Sequence, residues 1–188
     1  MIAATTVTRL PQALILTRRF TAPREKVFRA LSRPEHLRRW WGPPSCPVVD
    51  CTVDFRPGGI WHYRLRSTDG QEHWMRAVYR DIVPPERISW VENSSDEHGA
   101  VTTALAPTVT TLTLAATGNI TLLTAELRYH STTDRDAAIA RGVERGFGAA
   151  LDELNGLLGR GMPAAYTTTA VRDGSPSQGG IDVPDHLR

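Results

Sequence analysis

The hydrophobic period of this chain changes once, and that change most strongly constrains its fold. Between residues 48 and 127, apolar and polar residues alternate in short segments separated by turns, which is typical of about six antiparallel strands. After residue 130 the apolar residues follow helical spacing and predict one long helix over 134–158, ended by Gly159. The stripe on this helix consists of Ile139, Val143, Phe147, Ala150, Leu151, Leu154, Leu157 and Leu158.

A sheet of that size exposes an apolar face unless another element covers it. The helix predicted over 134–158 is the one segment long enough to do so. The sequence therefore predicts an α+β fold in which a curved antiparallel sheet wraps around a long C-terminal helix.

Smaller elements are predicted before the strands. Residues 14–20 favour a strand, Pro23 is typical of a helix start, and Pro34 begins a second short helix that stops at Gly42. We expect an N-terminal extension at 1–11 and one domain at 12–159. The segment 160–188 loses all periodicity and collects Thr, Ser, Gly, Pro and Asp, which predicts a flexible tail.

Charge and composition exclude several classes of protein. The net charge of +2, from 22 basic and 20 acidic residues, gives no basic footprint for nucleic acid. No apolar run approaches the roughly 20 residues of a membrane helix, and the first ten residues lack signal-peptide order. We expect a cytoplasmic protein, a monomer or homodimer, with no membrane partner.

The cysteines and histidines suggest neither a disulfide nor a metal site. Cys46 and Cys51 are the two cysteines, and in one extended segment they would point to opposite faces, as two free thiols. The six histidines show no spacing typical of metal ligands with a third partner. We therefore expect no metal and no cofactor, and the sequence identifies no catalytic residue.

Four motifs occur in a fixed order along the chain. They are FTAP at 20–23 with PEHL at 34–37 and WWGP at 40–43, DFRPGGIW at 54–61, VPPERI at 83–88, and the closing segment 137–158. Together they resemble the START-like (SRPBCC) superfamily, in the branch named for the C-terminal domain of the Hsp90 ATPase activator. The resemblance covers about residues 12–159 and implies a helix-grip fold with a cavity between sheet and helix.

Alternation along the predicted strands places rows of aromatic side chains on one face. These rows would form a plain packed core or, as the resemblance implies, line a cavity. His73 shares the strand phase of Met75 and Tyr79 and is the one histidine expected to face that cavity. The candidate ligand-binding residues are Trp41, Trp61, Tyr63, His73, Met75, Tyr79, Trp90 and Phe147.

The resemblance leaves several functions open, and two departures from the family pattern prevent the ligand from being carried over. Phe147 stands where many members have Trp, and the loop 96–107 has an unusual form. The first hypothesis is binding of a small hydrophobic or polycyclic molecule, in natural-product biosynthesis or in self-resistance by sequestering an enediyne. The alternatives are a polyketide cyclase or aromatase and, last, an Hsp90-type activator module.

Overall fold

The computed structural model of the protein describes residues 4–160. Within this range, eight strands form one curved antiparallel sheet, accompanied by four helices. The elements are β1 (Thr6–Leu10), β2 (Ala13–Phe20), α1 (Arg24–Ser32), α2 (Pro34–Trp40), β3 (Val48–Val53), β4 (Ile60–Arg66), β5 (Glu72–Val83), β6 (Arg87–Ser95), β7 (Thr108–Thr117), β8 (Ile120–Arg128), α3 (Thr132–Ala140) and α4 (Val143–Arg160).

The sheet order is β1-β2-β8-β7-β6-β5-β4-β3. Strands β3 to β8 follow one another as antiparallel neighbours, whereas β2 pairs with β8 at the other side. Helices α1 and α2 therefore carry the chain from β2 across to β3 at the opposite edge. This arrangement is the predicted α+β, helix-grip class of fold.

The core lies between the inner face of the sheet and the helices. Along β4, Trp61 and Tyr63 are each only 2% exposed, while Arg66 on the alternate phase is exposed. On α4, the buried side chains include Leu151 and Leu154. The period-two pattern of the strands and the helical stripe thus meet as the sequence predicts.

Strand β1 lies within the segment that the sequence analysis described as an extension at 1–11. It pairs with β2 in a hairpin, from Thr6 opposite Thr17 to Leu10 opposite Ala13. All five of its residues are exposed, so backbone pairing holds this edge strand and no side of it needs to be apolar. Without a buried face there is no alternation for a sequence pattern to reveal.

The prediction of one continuous helix over 134–158 is wrong, because the segment forms two helices. Helix α3 begins at the predicted cap, where the Ser131 Oγ accepts a hydrogen bond from the Asp134 N–H at 3.1 Å. It ends at Ala140, just before Gly142, whose φ of +88° lies in the left-handed region and whose N–H donates to the Ile139 carbonyl. The apolar stripe continues in phase across the break, which is why the pattern did not show it.

The predicted boundaries of the extension, the domain and the tail stay predictions. Residues 161–188, which include most of the predicted flexible tail, lie outside the described residues.

We predict opposite effects for the same substitution at two glycines of this segment. Gly142→Ala should lower the free energy of unfolding by about 1–2 kcal/mol, because alanine must adopt a left-handed conformation there. Gly148→Ala should raise it by about 0.5–1 kcal/mol, because Gly148 lies inside α4 and an added Cβ meets no atom within 4 Å. Urea unfolding of both variants measures the difference, and a stabilising Gly142→Ala would contradict the helix break.

Candidate functional site

A cavity of about 370 Å³ lies between the sheet and the C-terminal helices. This volume falls within the range of small-molecule sites. Strands β4 to β8 line one side, and α3, α4 and the connection after α2 line the other. A smaller cavity of about 190 Å³ shares several of the same side chains and extends to Ala150. The lining of the larger cavity includes Trp41, Tyr63, Glu92, Tyr129 and Phe147.

Trp41 is positioned by the end of α2. Its backbone N–H caps the helix by donating to the Leu37 carbonyl at 2.8 Å. The chain then turns at Gly42, which has a φ of +85° and where a Cβ would lie 2.6 Å from the Cys46 carbonyl oxygen. Both facts require glycine at this position. The turn lets the chain leave the helix directly beside the Trp41 ring.

Five rings form what we call the aromatic cluster: Trp41, Trp61, Tyr63, Trp90 and Phe147. Trp41 meets each of the other four edge-to-face, with centroid distances of 4.8 Å to Trp61, 5.7 Å to Phe147, 5.9 Å to Trp90 and 6.4 Å to Tyr63. Edge-to-face pairs add to the stability gained from burial alone. The cluster therefore ties α4 and the end of α2 to the sheet beside the cavity.

Five of the eight predicted site residues line the cavity: Trp41, Tyr63, His73, Met75 and Phe147. The other three, Trp61, Tyr79 and Trp90, are each 2% exposed and fill the core next to it. The structure places Phe55 against Tyr79, with a centroid distance of 5.1 Å, so this end of the sheet is covered by packing. Alternation identified the inward face but not which part of it the helices leave uncovered.

Some side chains that line the cavity are exposed to solvent and lie at its mouth. His73 lines the cavity but is exposed, as is Arg141, which follows α3. Both positions where the sequence departs from the family pattern also lie at the cavity, since Phe147 and two residues of the loop 96–107, Leu105 and Ala106, line it.

Glu92 is a charged residue of the cavity that the sequence did not identify as a candidate. Its Oε2 accepts a hydrogen bond from the Tyr63 hydroxyl at 2.8 Å and a longer one from the Trp90 Nε1–H at 3.4 Å. Glu92 lies within β6, which continues to Ser95. Glu92 shares the inward phase of Ile88 and Trp90, and this phase is the signal that could have identified it.

Burial shifts the pKa values of the polar groups in the cavity upward. It raises the pKa of Glu92, although the hydrogen bonds from Tyr63 and Trp90 act in the opposite direction. Burial, and then the neighbouring Glu92, raises the pKa of Tyr63 well above its ordinary value. Burial also raises the pKa of Tyr129 to about 12, with Glu92 contributing. Both tyrosines therefore keep their protons near neutral pH.

The arrangement combines a mostly apolar wall with two carboxyl groups, those of Glu92 and Asp134, and burial raises the pKa of Glu92. The Cys46 thiol also lines the cavity, and burial raises its pKa, which makes it a poor nucleophile. Both cysteines are free thiols. Among residues 4–160, no group of three or more histidine, cysteine or acidic side chains is placed to hold a metal ion.

Comparison with known families agrees with this geometry. The family described as "Activator of Hsp90 ATPase homolog 1-like protein" matches residues 21–159. The chain belongs to this family. It is a family of the START-like (SRPBCC) type, as the sequence motifs implied, and its matched range includes every side chain of the cavity named above.

Solved structures of bacterial proteins share the family fold. A protein of Arthrobacter aurescens is 25% identical, with a TM-score of 0.78 over 87% of this chain and 96% of its own. Protein Ms6760 of Mycobacterium smegmatis is 25% identical, with a TM-score of 0.75 over 82% and 96%. A Staphylococcus epidermidis protein is 26% identical, with a TM-score of 0.71 over 86% and 98%.

A comparison with curated proteins finds none that matches this chain. Of the helices within residues 4–160, none combines the length and apolar character needed to span a bilayer.

We predict that Glu92→Gln changes the pH dependence of stability. A raised pKa means that the folded state binds the Glu92 proton more tightly than the unfolded state. The resulting stabilisation is fully present below the unfolded pKa of about 4.3 and is lost as the pH rises through the folded pKa. Glutamine keeps an oxygen for Tyr63 and cannot titrate, so the variant should gain stability relative to wild type as the pH rises. Urea unfolding at a series of pH values tests this, and parallel pH profiles would contradict it.

Proposed function

We propose that this chain binds a small, largely apolar or polycyclic molecule in the cavity between the sheet and helices α3 and α4. The observation that carries the proposal is the cavity of about 370 Å³ with aromatic side chains and the hydrogen-bonded Glu92 carboxyl in its wall. Membership of a START-like family supports it, because the helix-grip fold leaves such a space.

The chemistry of the wall favours a ligand with flat rings. Trp41, Tyr63 and Phe147 offer aromatic faces and edges, and Met75 adds a flexible apolar surface that adapts to the ligand. Ligands of this kind include polycyclic natural products, so a role in their biosynthesis, or in self-resistance by sequestering an enediyne, remains within the proposal.

Filling the cavity should abolish binding without changing the rest of the fold. Gly146 lines the cavity, and a Cβ there would make only an ordinary contact, 3.7 Å from Pro43. We predict that Gly146→Leu weakens binding of a hydroxyanthraquinone by at least about tenfold, since the added side chain takes up ligand space. The quenching of the intrinsic tryptophan fluorescence, to which Trp41 contributes, measures the affinity on titration.

The matched control is Gly148→Leu on the same helix. Gly148 does not line the cavity, and an added Cβ meets no atom within 4 Å, so this variant should bind as wild type does. Equal affinity of both variants and wild type would mean that the ligand binds elsewhere. Absence of quenching in all three would contradict the proposed function for this ligand class.

An enzyme of the polyketide cyclase or aromatase kind is the second candidate, and the Glu92 carboxyl is the observation that favours it. A carboxyl with a raised pKa inside an apolar cavity suits proton transfer to or from a bound substrate. Incubation with cyclic and linear polyketides, followed by mass measurement of ligand and protein, separates the candidates. A ligand that the wild-type protein converts and that Glu92→Gln leaves unchanged would favour the enzyme.

The remaining predictions from the sequence are not altered by the cavity. A cytoplasmic location and a monomer or homodimer stay predictions. An Hsp90-type activator module also stays a prediction, and no contact of the cavity favours it.

A further inference from the structure

The two oxygens of the Glu92 carboxyl group differ in their hydrogen bonds. Both of its hydrogen bonds, from Tyr63 and from Trp90, go to Oε2. Among residues 4–160, no group donates a hydrogen bond to Oε1, yet Oε1 is not one of the fully buried polar atoms that lack a partner. Glu92 is only partly buried and lines the cavity, so Oε1 is the carboxyl oxygen left for a ligand there.

Glu92 also lacks a counter-ion. None of the ion pairs within residues 4–160 includes it. Burying a carboxylate without a cation costs several kcal/mol, and two hydrogen bonds to one oxygen offset only part of this cost. The other titratable or charged groups that line the cavity are Cys46, Tyr63, His73, Tyr129, Asp134 and Arg141.

None of those groups pairs with Glu92 as a cation. Arg141 is exposed at the mouth, and none of the ion pairs within residues 4–160 joins it to Glu92. His73 is likewise exposed at the mouth. The tyrosines keep their protons, and Asp134 accepts a hydrogen bond from the Ser131 hydroxyl at 2.7 Å. An ionised Glu92 therefore has no cationic partner within the described part of the chain.

The rings around Glu92 suit the same kind of ligand. Trp41, Tyr63 and Phe147 lie close together, with Trp41 centroids 5.7 Å from Phe147 and 6.4 Å from Tyr63. Aromatic faces attract cations as well as apolar rings, most strongly where water is excluded. Aromatic side chains beside an unpaired carboxylate oxygen are complementary to a ring system that carries a positive charge.

We propose that the ligand of this cavity carries a protonated amine, which donates to Oε1 of Glu92 while its apolar part packs against Trp41, Tyr63 and Phe147. This inference rests on the proposed function, since it names the chemical class of the ligand for the same cavity. It assigns Glu92 as the residue that selects amines over neutral molecules of equal shape.

The test compares two probes that differ in one group. Naphthylmethylamine carries an ammonium near neutral pH, whereas naphthylmethanol has the same rings and a neutral hydroxyl. By calorimetry, the wild-type protein should bind the amine at least about tenfold more tightly, the value of one hydrogen bond to a charged group. Glu92→Gln should lose this preference and still bind the alcohol.

Glu126→Gln provides the matched control. Glu126 lies on β8, forms an ion pair with Arg128 and does not line the cavity, so the same substitution there should preserve the preference for the amine. If Glu92→Gln fails to fold, the pH dependence of the wild-type protein's affinity for each probe tests the amine proposal instead. Affinity for the amine should fall as the pH decreases, because Glu92 gains a proton, while affinity for the alcohol stays constant.

The outcomes distinguish the two proposals. Equal affinity of the wild type for both probes overturns the amine proposal and leaves ligand binding in place. An affinity for the amine that increases as the pH falls also overturns the amine proposal, since a protonated Glu92 would then be donating to the ligand. Failure of both probes to bind overturns the proposed function for ligands of this size, and the amine proposal with it.

Discussion

The packing of Trp41 against four other rings joins the parts of this protein that create the cavity. Trp41 follows α2, and its neighbours come from β4, β6 and α4. Gly42, with its positive φ and its close approach to the Cys46 backbone, turns the chain directly after Trp41. The Trp41 ring contacts both the sheet, at Trp61, and α4, at Phe147, and it lines the cavity beside them.

The polar side of the site depends on where the aromatic cluster ends. Trp61 and Trp90 fill the core at one end, and the cavity begins where Tyr63 and Glu92 face inward. The Tyr63 hydroxyl and the Trp90 N–H both donate to one oxygen of Glu92, and within residues 4–160 no hydrogen bond is made to its other oxygen. Core packing and the proposed ligand site thus share the same residues, so we expect substitutions here to affect both stability and binding.

Much of the fold was predictable because it follows from burial, and the errors arise where burial carries no signal. The rows of β4 and the stripe of α4 were evident from alternation and helical spacing. Strand β1 was missed because all five of its residues are exposed. The break at Gly142 was missed because the stripe keeps its phase across it. Glu92 was missed because a charged residue is not expected on a buried strand face, although its position in the strand alternation placed it on the same face as Trp90. Which of the inward aromatic residues line the cavity depends on how the helices cover the sheet, and sequence alone does not contain that information.

Direct titration of Glu92 tests the central claim that this cavity is a ligand site built around an unpaired carboxyl group. Carboxyl-carbon NMR of protein labelled at glutamate, with Glu92→Gln to assign the resonance, reports its pKa with and without naphthylmethylamine. The account predicts a pKa above the ordinary range in the free protein and a lower one when the amine is bound, because the ammonium stabilises the carboxylate. A Glu92 that titrates in the ordinary range and does not respond to the amine would contradict the account.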